Sequence, residues 1–263
     1  MRLRGSSALV TGASGGIGGE ICRVLAERGV RLVLTGRRGD ALDSLAQRFA
    51  ARSVVADLGD PGDVSRLAED CAGVDIVVAN AALPSSGDVT DYACDEIMRA
   101  LDVNLYSPIM LARLIAPMMA GRGRGHLVFV GSLSGKVASG GAALYNASKF
   151  GLRGFSHGLR QDLRGSGVGV SLVQPGFVRD VGMFADTGAV PPVGARTVSA
   201  RRVALGVVRA IEHNLGEVNV APVEMRLMAA IAGQFPELAA VVQRHARSGP
   251  AMRQIIEAQR GKR

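Results

Sequence analysis

The chain has 263 residues, and its hydrophobic content of 48% is typical of a globular domain with a sizeable core. Its formal net charge of +8 comes almost entirely from arginines scattered along the chain, and no helix-turn-helix, zinc-finger or aromatic stacking pattern accompanies them. Composition therefore indicates a single domain with a solvated basic surface and argues against nucleic acid as the main partner.

The three cysteines and the most apolar stretch exclude two further classes of protein. Cys22, Cys71 and Cys94 lack CxxC or CxxH spacing, so we expect neither a disulfide framework nor a metal site, which fits a cytoplasmic protein. The apolar run near the first residue is too short for a signal peptide. Arg113 interrupts the most apolar stretch, so we expect a soluble chain without a membrane span.

Short β-branched runs alternate with helical patterns from the first residues onward. The predicted strands are 7–11, 31–35, 53–55, 75–79, 126–130, 168–173 and 217–221. The predicted helices are 18–29, 39–50, one begun by Asp60 and Pro61, two across 91–120, 144–164 and 200–214. Apolar strands separated by helices predict an α/β fold with a doubly wound parallel sheet, the Rossmann fold, in a single domain. Such a sheet binds ligands beyond the carboxyl ends of its strands.

A glycine-rich turn, TGASGGIG, joins the first strand to the first helix. Gly12, Gly16 and Gly18 allow the backbone to turn tightly and to approach a pyrophosphate, which the N–H groups of the helix would bind. Ser14 and Ile17 belong to the same predicted cofactor site. The spacing GxxxGxG differs from the commoner GxGxxG, and a purely structural turn is the alternative.

The end of the second strand, LTGRRGD, bears on which dinucleotide is bound. A carboxylate there would bind the ribose hydroxyls of NAD, whereas Gly36 leaves space and Arg37 and Arg38 offer charge to a 2′-phosphate. NADP is therefore predicted, with NAD or dual use, or two merely solvated arginines, as the alternatives. Asp57, after the third strand, would accept a hydrogen bond from the adenine amino group or cap a turn.

Tyr145 and Lys149 lie four residues apart at the start of a predicted helix. Residues at this spacing lie on the same helix face, so the hydroxyl and the ammonium are expected side by side. A neighbouring positive charge lowers the pKa of a phenol. The pair therefore predicts a tyrosine that acts as an acid and base.

Several motifs in order resemble those of the short-chain dehydrogenase/reductase family, over about residues 5–222. They are TGASGGIG, Asp57-Leu58, NAA at 80–82, Asn104, Ser132, YNASK from Tyr145 to Lys149, and PGFV from Pro175 to Val178. The resemblance implies a nicotinamide cofactor and a small-molecule carbonyl or alcohol substrate. It also implies further cofactor contacts at Leu58, Asn80, Ala81, Pro175, Gly176 and Val178.

The chemistry assigns a role to each predicted catalytic residue. Hydride transfer to a carbonyl leaves an alkoxide, to which Tyr145 would donate a proton. Lys149 would lower the pKa of that phenol and, by the resemblance, hold the nicotinamide ribose. Ser132 would bind the substrate oxygen, with Ser134 as a second candidate. By the resemblance, Asn104 would interrupt its helix and anchor a water that reaches Lys149; an exposed mid-helix asparagine is the alternative.

Some segments depart from the family pattern or lie near the substrate. After PGFV, Arg179 and Asp180 stand where the family usually has a threonine that binds the nicotinamide carboxamide. The long segment 176–199 predicts a lid in which Met183 and Phe184 cover the substrate, or pack against the body. Small and apolar residues after Ser132 predict an apolar pocket: Val137, Ala138, Gly140, Ala142 and Leu144.

The last part of the chain, 223–263, is predicted to be a helical extension of the dinucleotide-binding catalytic domain 1–222. Packing over the active site or on a partner subunit is the favoured interpretation, and a helix on a membrane surface is the alternative. The family resemblance implies a homodimer or homotetramer assembled through the helices at 91–120 and 144–164.

Together these observations predict an NADP-dependent oxidoreductase that interconverts an alcohol and a ketone or aldehyde on an apolar small molecule. Reduction of an activated C=C bond, or epimerisation through a transient ketone, is the alternative on the same scaffold. A non-catalytic NADP-sensing or scaffold protein is the alternative from another class, and a basic nucleic-acid binder is the third.

Overall fold

The computed structural model of the protein describes residues 1–189, 196–235, 237 and 249–260. Its centre is one seven-stranded sheet in the order β3-β2-β1-β4-β5-β6-β7, and every neighbouring pair is parallel. The strands are β1 Ser7–Thr11, β2 Arg31–Gly36, β3 Arg52–Val55, β4 Ile76–Ala79, β5 Gly125–Val130, β6 Val168–Pro175 and β7 Glu217–Val220. The predicted doubly wound fold is confirmed.

Helices cover both faces of the sheet. In chain order they are α1 Gly16–Ala26, α2 Gly39–Phe49, α3 Pro61–Asp70, α4 Cys94–Leu101, α5 Ser107–Gly121, α6 Ala143–Asp162, α7 Ala200–Glu212, α8 Val223–Gln234 and α9 Gly249–Gln259. One core cluster packs α1, α2 and α7 against the sheet, and the other packs α3, α5 and α6 against its opposite face. The division predicted at residue 222 stays a prediction; α8 begins directly after it.

The predicted elements agree with the structure to within a few residues. Helix α1 begins at Gly16 rather than at 18, because the backbone of the glycine turn itself enters the helix. Asp60 caps α3 by accepting a hydrogen bond from the Asp63 N–H, as its Asp-Pro sequence predicts. The helical region 91–120 is divided by a π-helical turn, Asp102–Tyr106.

By length and composition, the helical stretch Cys94–Gly121 could cross a membrane. Half of its most apolar window is buried inside the fold, however. Leu111, Ile115 and Met119 of α5 are almost completely buried in the core beneath the sheet. Its apolar character is therefore explained by the core that it forms.

The strand order places all the predicted motifs at one edge of the sheet. The order reverses between β1 and β4, which are neighbours although two strands separate them in sequence. A crevice forms where such connections leave in opposite directions, beyond the carboxyl ends of the strands. The glycine turn follows β1, the NAA motif follows β4, and Ser132 follows β5.

Candidate active site

A groove of 590 Å³ runs along the carboxyl ends of the strands beside the β1/β4 reversal. Its wall contains all the residues that were predicted to bind a cofactor after β1, β2, β3 and β4. These are Gly12, Ser14, Gly16, Ile17, Gly18, Arg37, Arg38, Asp57, Leu58, Asn80 and Ala81. Residues far apart in sequence thus form one surface, although their predicted roles remain predictions.

The glycine turn is packed so closely that side chains at two of its glycines would clash with neighbouring atoms of the protein. Gly12 has a φ of +64°, and a Cβ there would lie 2.9 Å from the Cα of Ala81. A Cβ at Gly18 would collide with the carbonyl oxygen of Gly12. Gly15, at the N-cap of α1, supplies no side chain to cap the first N–H groups of the helix. These N–H groups can therefore bind an anion in the groove.

The turn is fixed in place by Thr11 and Asn80. The Thr11 hydroxyl accepts hydrogen bonds from the backbone N–H groups of Asn80 and Ala81, both at 3.0 Å. The Asn80 side chain donates to the Thr11 carbonyl oxygen at 3.0 Å. Asn80 therefore joins the ends of β1 and β4 beneath the groove, which is an architectural role.

The far end of the groove is basic. Arg37 and Arg38 are both exposed at the end of β2, and Arg38 donates a hydrogen bond to the Ser14 carbonyl oxygen at 3.0 Å. A phosphate at this end would meet two guanidinium groups with open access to solvent.

Asp57 caps a turn and also has a partner that the sequence did not indicate. Its carboxylate accepts from the Gly59 N–H at 2.9 Å and binds Arg99 of α4 at 2.7 Å. Burial alone would raise the pKa of Asp57, but the Gly59 N–H and the Arg99 guanidinium outweigh burial and hold it below its ordinary value. Of the two predicted interpretations, the structure shows the turn cap; contact with adenine stays a prediction.

A second cavity of 240 Å³ continues from the groove and contains the predicted reacting groups. Ser132 and Tyr145 both line it, and the Ser132 side chain lies close enough to the Tyr145 phenol to affect its pKa. Lys149 lies behind Tyr145, with its ammonium 5.6 Å from the centroid of the phenol ring. The other predicted cofactor or substrate residues that line this cavity are Ser134, Pro175, Gly176, Val178, Met183 and Phe184.

The ionisation of this pair differs from the sequence-based expectation. Burial raises the pKa of the Tyr145 phenol above its ordinary value, although the nearby Ser132 side chain acts in the opposite direction. Burial lowers the pKa of Lys149 to about 8, and its ammonium donates a hydrogen bond to the Val130 carbonyl oxygen at 3.3 Å. Burial therefore sets the direction of the phenol pKa in the structure, and the lowering of that pKa by Lys149 stays a prediction.

Asn104 supports the site from outside both cavities. It is almost completely buried, and it lies in the π-helical turn Asp102–Tyr106, so the predicted interruption of the helix is confirmed. Its side chain accepts from the Leu83 N–H at 2.6 Å and donates to the Leu83 carbonyl oxygen at 2.9 Å. Asn104 thus fixes the loop after β4. Its link through water to Lys149 stays a prediction.

The cover of the cavity comes from segments that are distant in sequence. Met183 and Phe184 line it as predicted, and the ring centroids of Phe177 and Phe184 are 4.7 Å apart. Asp180, which the sequence offers in place of the family's threonine, pairs with Arg179 at 3.2 Å, and both side chains are about half exposed.

The predicted apolar pocket after Ser132 is only partly correct. Ala142 lines the cavity, whereas Leu144 is buried against Tyr92 and Ala100. Sequence reasoning missed Met225 of α8 and three residues of α9: Met252, Ile255 and Gln259. No motif marks these positions, and only the helical pattern of the extension pointed toward them.

Charge is sparse in the smaller cavity. Among its described lining residues, Lys149 is the one ionised side chain at neutral pH, and it belongs to the reacting pair. The remaining wall is mainly apolar or hydroxyl-bearing. Such a cavity suits an uncharged, apolar substrate.

One carboxylate, Glu217 of β7, connects the loop that carries Ser132 with the helix that carries Tyr145. It pairs with Lys136 of that loop, with Arg153 of α6 at 3.0 Å and with His157 of α6 at 3.0 Å. Burial would raise the pKa of Glu217, but hydrogen bonds from these three side chains lower it to about 2. The carboxylate is therefore ionised throughout the neutral range.

The residues present fit a nicotinamide dinucleotide. The uncapped N–H groups of α1 border the groove at the closely packed glycine turn, as a pyrophosphate requires. The basic end at Arg37 and Arg38 lies farther along the same groove, and the Tyr145 phenol lies in the adjoining cavity.

Comparison with known proteins identifies the family. Residues 6–190 match the model of the short chain dehydrogenase family. The chain is 35% identical over 227 residues to the ketoacyl reductase HetN from Nostoc sp., covering 83% of this chain and 79% of the relative.

Solved structures agree with that match. A metagenomic short-chain oxidoreductase in complex with NADP is 31% identical, with a TM-score of 0.72, covering 84% of this chain and 99% of the other. A short-chain dehydrogenase from Sphingobium yanoikuyae in complex with NADPH is 25% identical, with a TM-score of 0.78, covering 89% of this chain and 95% of the other. The chain belongs to the short chain dehydrogenase family and is an oxidoreductase that acts on CH–OH and carbonyl groups.

Proposed function

We propose that the protein uses NADPH to reduce the carbonyl group of an apolar small molecule, or catalyses the reverse oxidation with NADP. The observation that carries this proposal is that Tyr145 and Ser132 line one apolar cavity, which shares lining residues with the glycine groove, and that Lys149 lies behind the phenol. A substrate oxygen placed between these hydroxyls would meet a proton donor and a hydrogen-bond donor at once.

Each polar group has a defined task in this reaction. The bound dinucleotide supplies the hydride for reduction. Tyr145 keeps its proton at neutral pH, because burial raises its pKa, and donates it to the substrate oxygen as negative charge develops there. Ser132 stabilises the same oxygen. Lys149, with a pKa of about 8, is mostly protonated at neutral pH and holds a positive charge behind the phenol.

Two observations support NADPH over NADH. Arg37 and Arg38 are exposed where the adenosine ribose would lie, and Asp57, a carboxylate of the same groove, is paired with Arg99. The two solved relatives named above contain NADP or NADPH. Arg37 is the guanidinium with no hydrogen bond shown to another described residue, so it is the better candidate to bind a 2′-phosphate.

The proposal predicts turnover that depends on the cofactor. Purified protein should oxidise NADPH in the presence of at least one member of a panel of aryl ketones, alkyl ketones, aldehydes and β-ketoacyl thioesters. Arg37→Asp should then lower kcat/KM for NADPH by about tenfold or more and raise it for NADH, because a carboxylate repels the 2′-phosphate and binds the free ribose hydroxyls. Absorbance at the dihydronicotinamide band measures both rates.

Arg31→Asp provides the matched control, since Arg31 is exposed at the opposite end of the same strand. It makes the same change in net charge and should leave the NADPH/NADH ratio unaltered. An unchanged ratio in Arg37→Asp would contradict the cofactor assignment. Binding of NADPH without turnover of any panel member would favour a sensor or scaffold protein.

We also propose that the chain assembles through the surface of α4 and α6. Met98, Tyr106 and Phe150 are large hydrophobic side chains with 63%, 46% and 42% exposure, and all three lie in or between these helices. Exposed apolar groups of this kind mark subunit contacts. Light scattering on the purified protein should give a dimer or tetramer mass, which Phe150→Glu should reduce; a monomer would contradict the proposal.

A further inference from the structure

Helix α9, from the C-terminal extension, lies against the catalytic half of the molecule. Its Met252 and Ile256 pack on Gly141, where an added Cβ would lie 3.1 Å from the Met252 Cγ and 3.0 Å from the Ile256 Cδ1. Ile255, only 9% exposed, lines the smaller cavity. This contact fixes which face of α9 points toward the site, because Gly141 immediately precedes the helix that carries Tyr145.

Gln259, at the end of α9, is buried with unused hydrogen-bonding capacity. Its side chain is 6% exposed, and its Oε1 has no hydrogen-bond partner among the described residues. A buried amide oxygen without a partner is unfavourable in a folded protein. The residue therefore needs a partner that is not part of the described chain.

Gln259 also lies at a particular place, the junction of the two cavities. Six described residues line both of them: Ile17, Asn80, Ala82, Pro84, Met183 and Gln259. Two of these carry side-chain amides, and the Asn80 amide is already bound to the backbone of Thr11. Gln259 is thus the amide at the junction that can still bind a ligand.

The ligand part that must occupy this junction follows from the proposed reaction. A hydride donor has to reach the carbonyl carbon of a substrate whose oxygen lies beside Tyr145, while it stays joined to phosphates at the glycine turn, so its ring must lie between the two cavities. The polar substituent of that ring is a carboxamide, which offers one acceptor and two donors, as a glutamine amide does.

We infer that Gln259 binds the carboxamide of the nicotinamide ring and so makes the C-terminal helix part of the cofactor site. This inference rests on the proposed function. Because the family match ends at residue 190, Gln259 lies outside the matched region. It would orient the ring from the side opposite the sheet.

The test compares Gln259→Leu with Gln254→Leu, since Gln254 is an exposed glutamine on the same helix. Fluorescence or calorimetric titration measures the Kd of NADPH and of 2′,5′-ADP, a fragment that has the adenosine half but no nicotinamide. We expect Gln259→Leu to weaken NADPH about five- to tenfold, as the loss of one or two hydrogen bonds predicts, and to leave 2′,5′-ADP within twofold of the wild type. Gln254→Leu should change neither affinity.

Binding of 2′,5′-ADP by Gln259→Leu also shows that the variant is folded. If the two variants bind NADPH equally, or if Gln259→Leu weakens both ligands alike, the inference is wrong while the proposed function stands. If the wild type binds neither ligand, the proposed function itself fails, and the two failures are thereby distinguished.

Discussion

Replacing Tyr145 by phenylalanine should lower kcat by about 10³-fold with a substrate found in the panel, because the hydride step would lose its proton donor. The ring itself should keep its place in the cavity, since only the hydroxyl is removed. NADPH affinity should therefore change by less than about threefold. Steady-state kinetics together with an NADPH titration measure the two quantities separately.

Tyr106→Phe is the matched control, because Tyr106 is 46% exposed and does not line the cavity. It removes the same atom and should leave kcat unchanged. Full activity in Tyr145→Phe would overturn the assignment of the acid, whatever the cofactor. Loss of NADPH binding in parallel with kcat would indicate a structural role in place of a chemical one.

Replacing Lys149 by methionine should have opposite effects on activity and stability. Turnover should fall by about 10²-fold or more, because the positive charge behind the phenol is lost. The free energy of unfolding at pH 7 should rise by up to about 3 kcal/mol, since a pKa of about 8 in place of the ordinary 10.5 measures the cost of burying the ammonium. Urea unfolding with parallel kinetics tests both expectations.

The effect of the Lys149 ammonium on stability should depend on pH. The unfolded chain binds the Lys149 proton more tightly than the folded chain, so the ammonium lowers stability below about pH 8. The difference between wild type and Lys149→Met should shrink as pH rises from 8 toward 10.5 and then vanish.

Lys136→Met serves as the comparison, because Lys136 is paired with Glu217 and its removal should lower stability. A Lys149→Met protein that is less stable than the wild type at pH 7 would contradict this expectation. It would show that favourable contacts of the ammonium contribute more to stability than the burial of its charge costs.

The architecture could be predicted from local sequence because each element carries its own pattern. Strands such as Ile76–Ala79 and Gly125–Val130 are buried along their whole length and read as continuous apolar runs. The strands then fix where the motifs lie, since parallel strands all end at the same edge. The groove residues from Gly12 to Ala81 follow directly from this arrangement.

The rest depends on contacts between distant parts of the chain. Arg99 pairs with Asp57 across 42 positions, and no local pattern indicates such a pair. The α9 residues line the cavity because their helix packs on Gly141. The sequence predicts a pocket wall formed by residues shortly after Ser132, and it does not predict this contribution from α9. The raised pKa of Tyr145 reflects the amount of protein around the phenol, which spacing from Lys149 does not report.

Glu217 ties together the parts of the chain that carry the reacting side chains. By holding both the loop of Ser132 and the helix of Tyr145 and Lys149, this strand-borne anion makes the three reacting side chains parts of one frame. Met183, Met225 and Met252 also line the cavity, but they lie in other segments and take no part in the ion pairs of Glu217. Changes in those walls can therefore tailor the enzyme to new compounds without disturbing the geometry in which the proton moves.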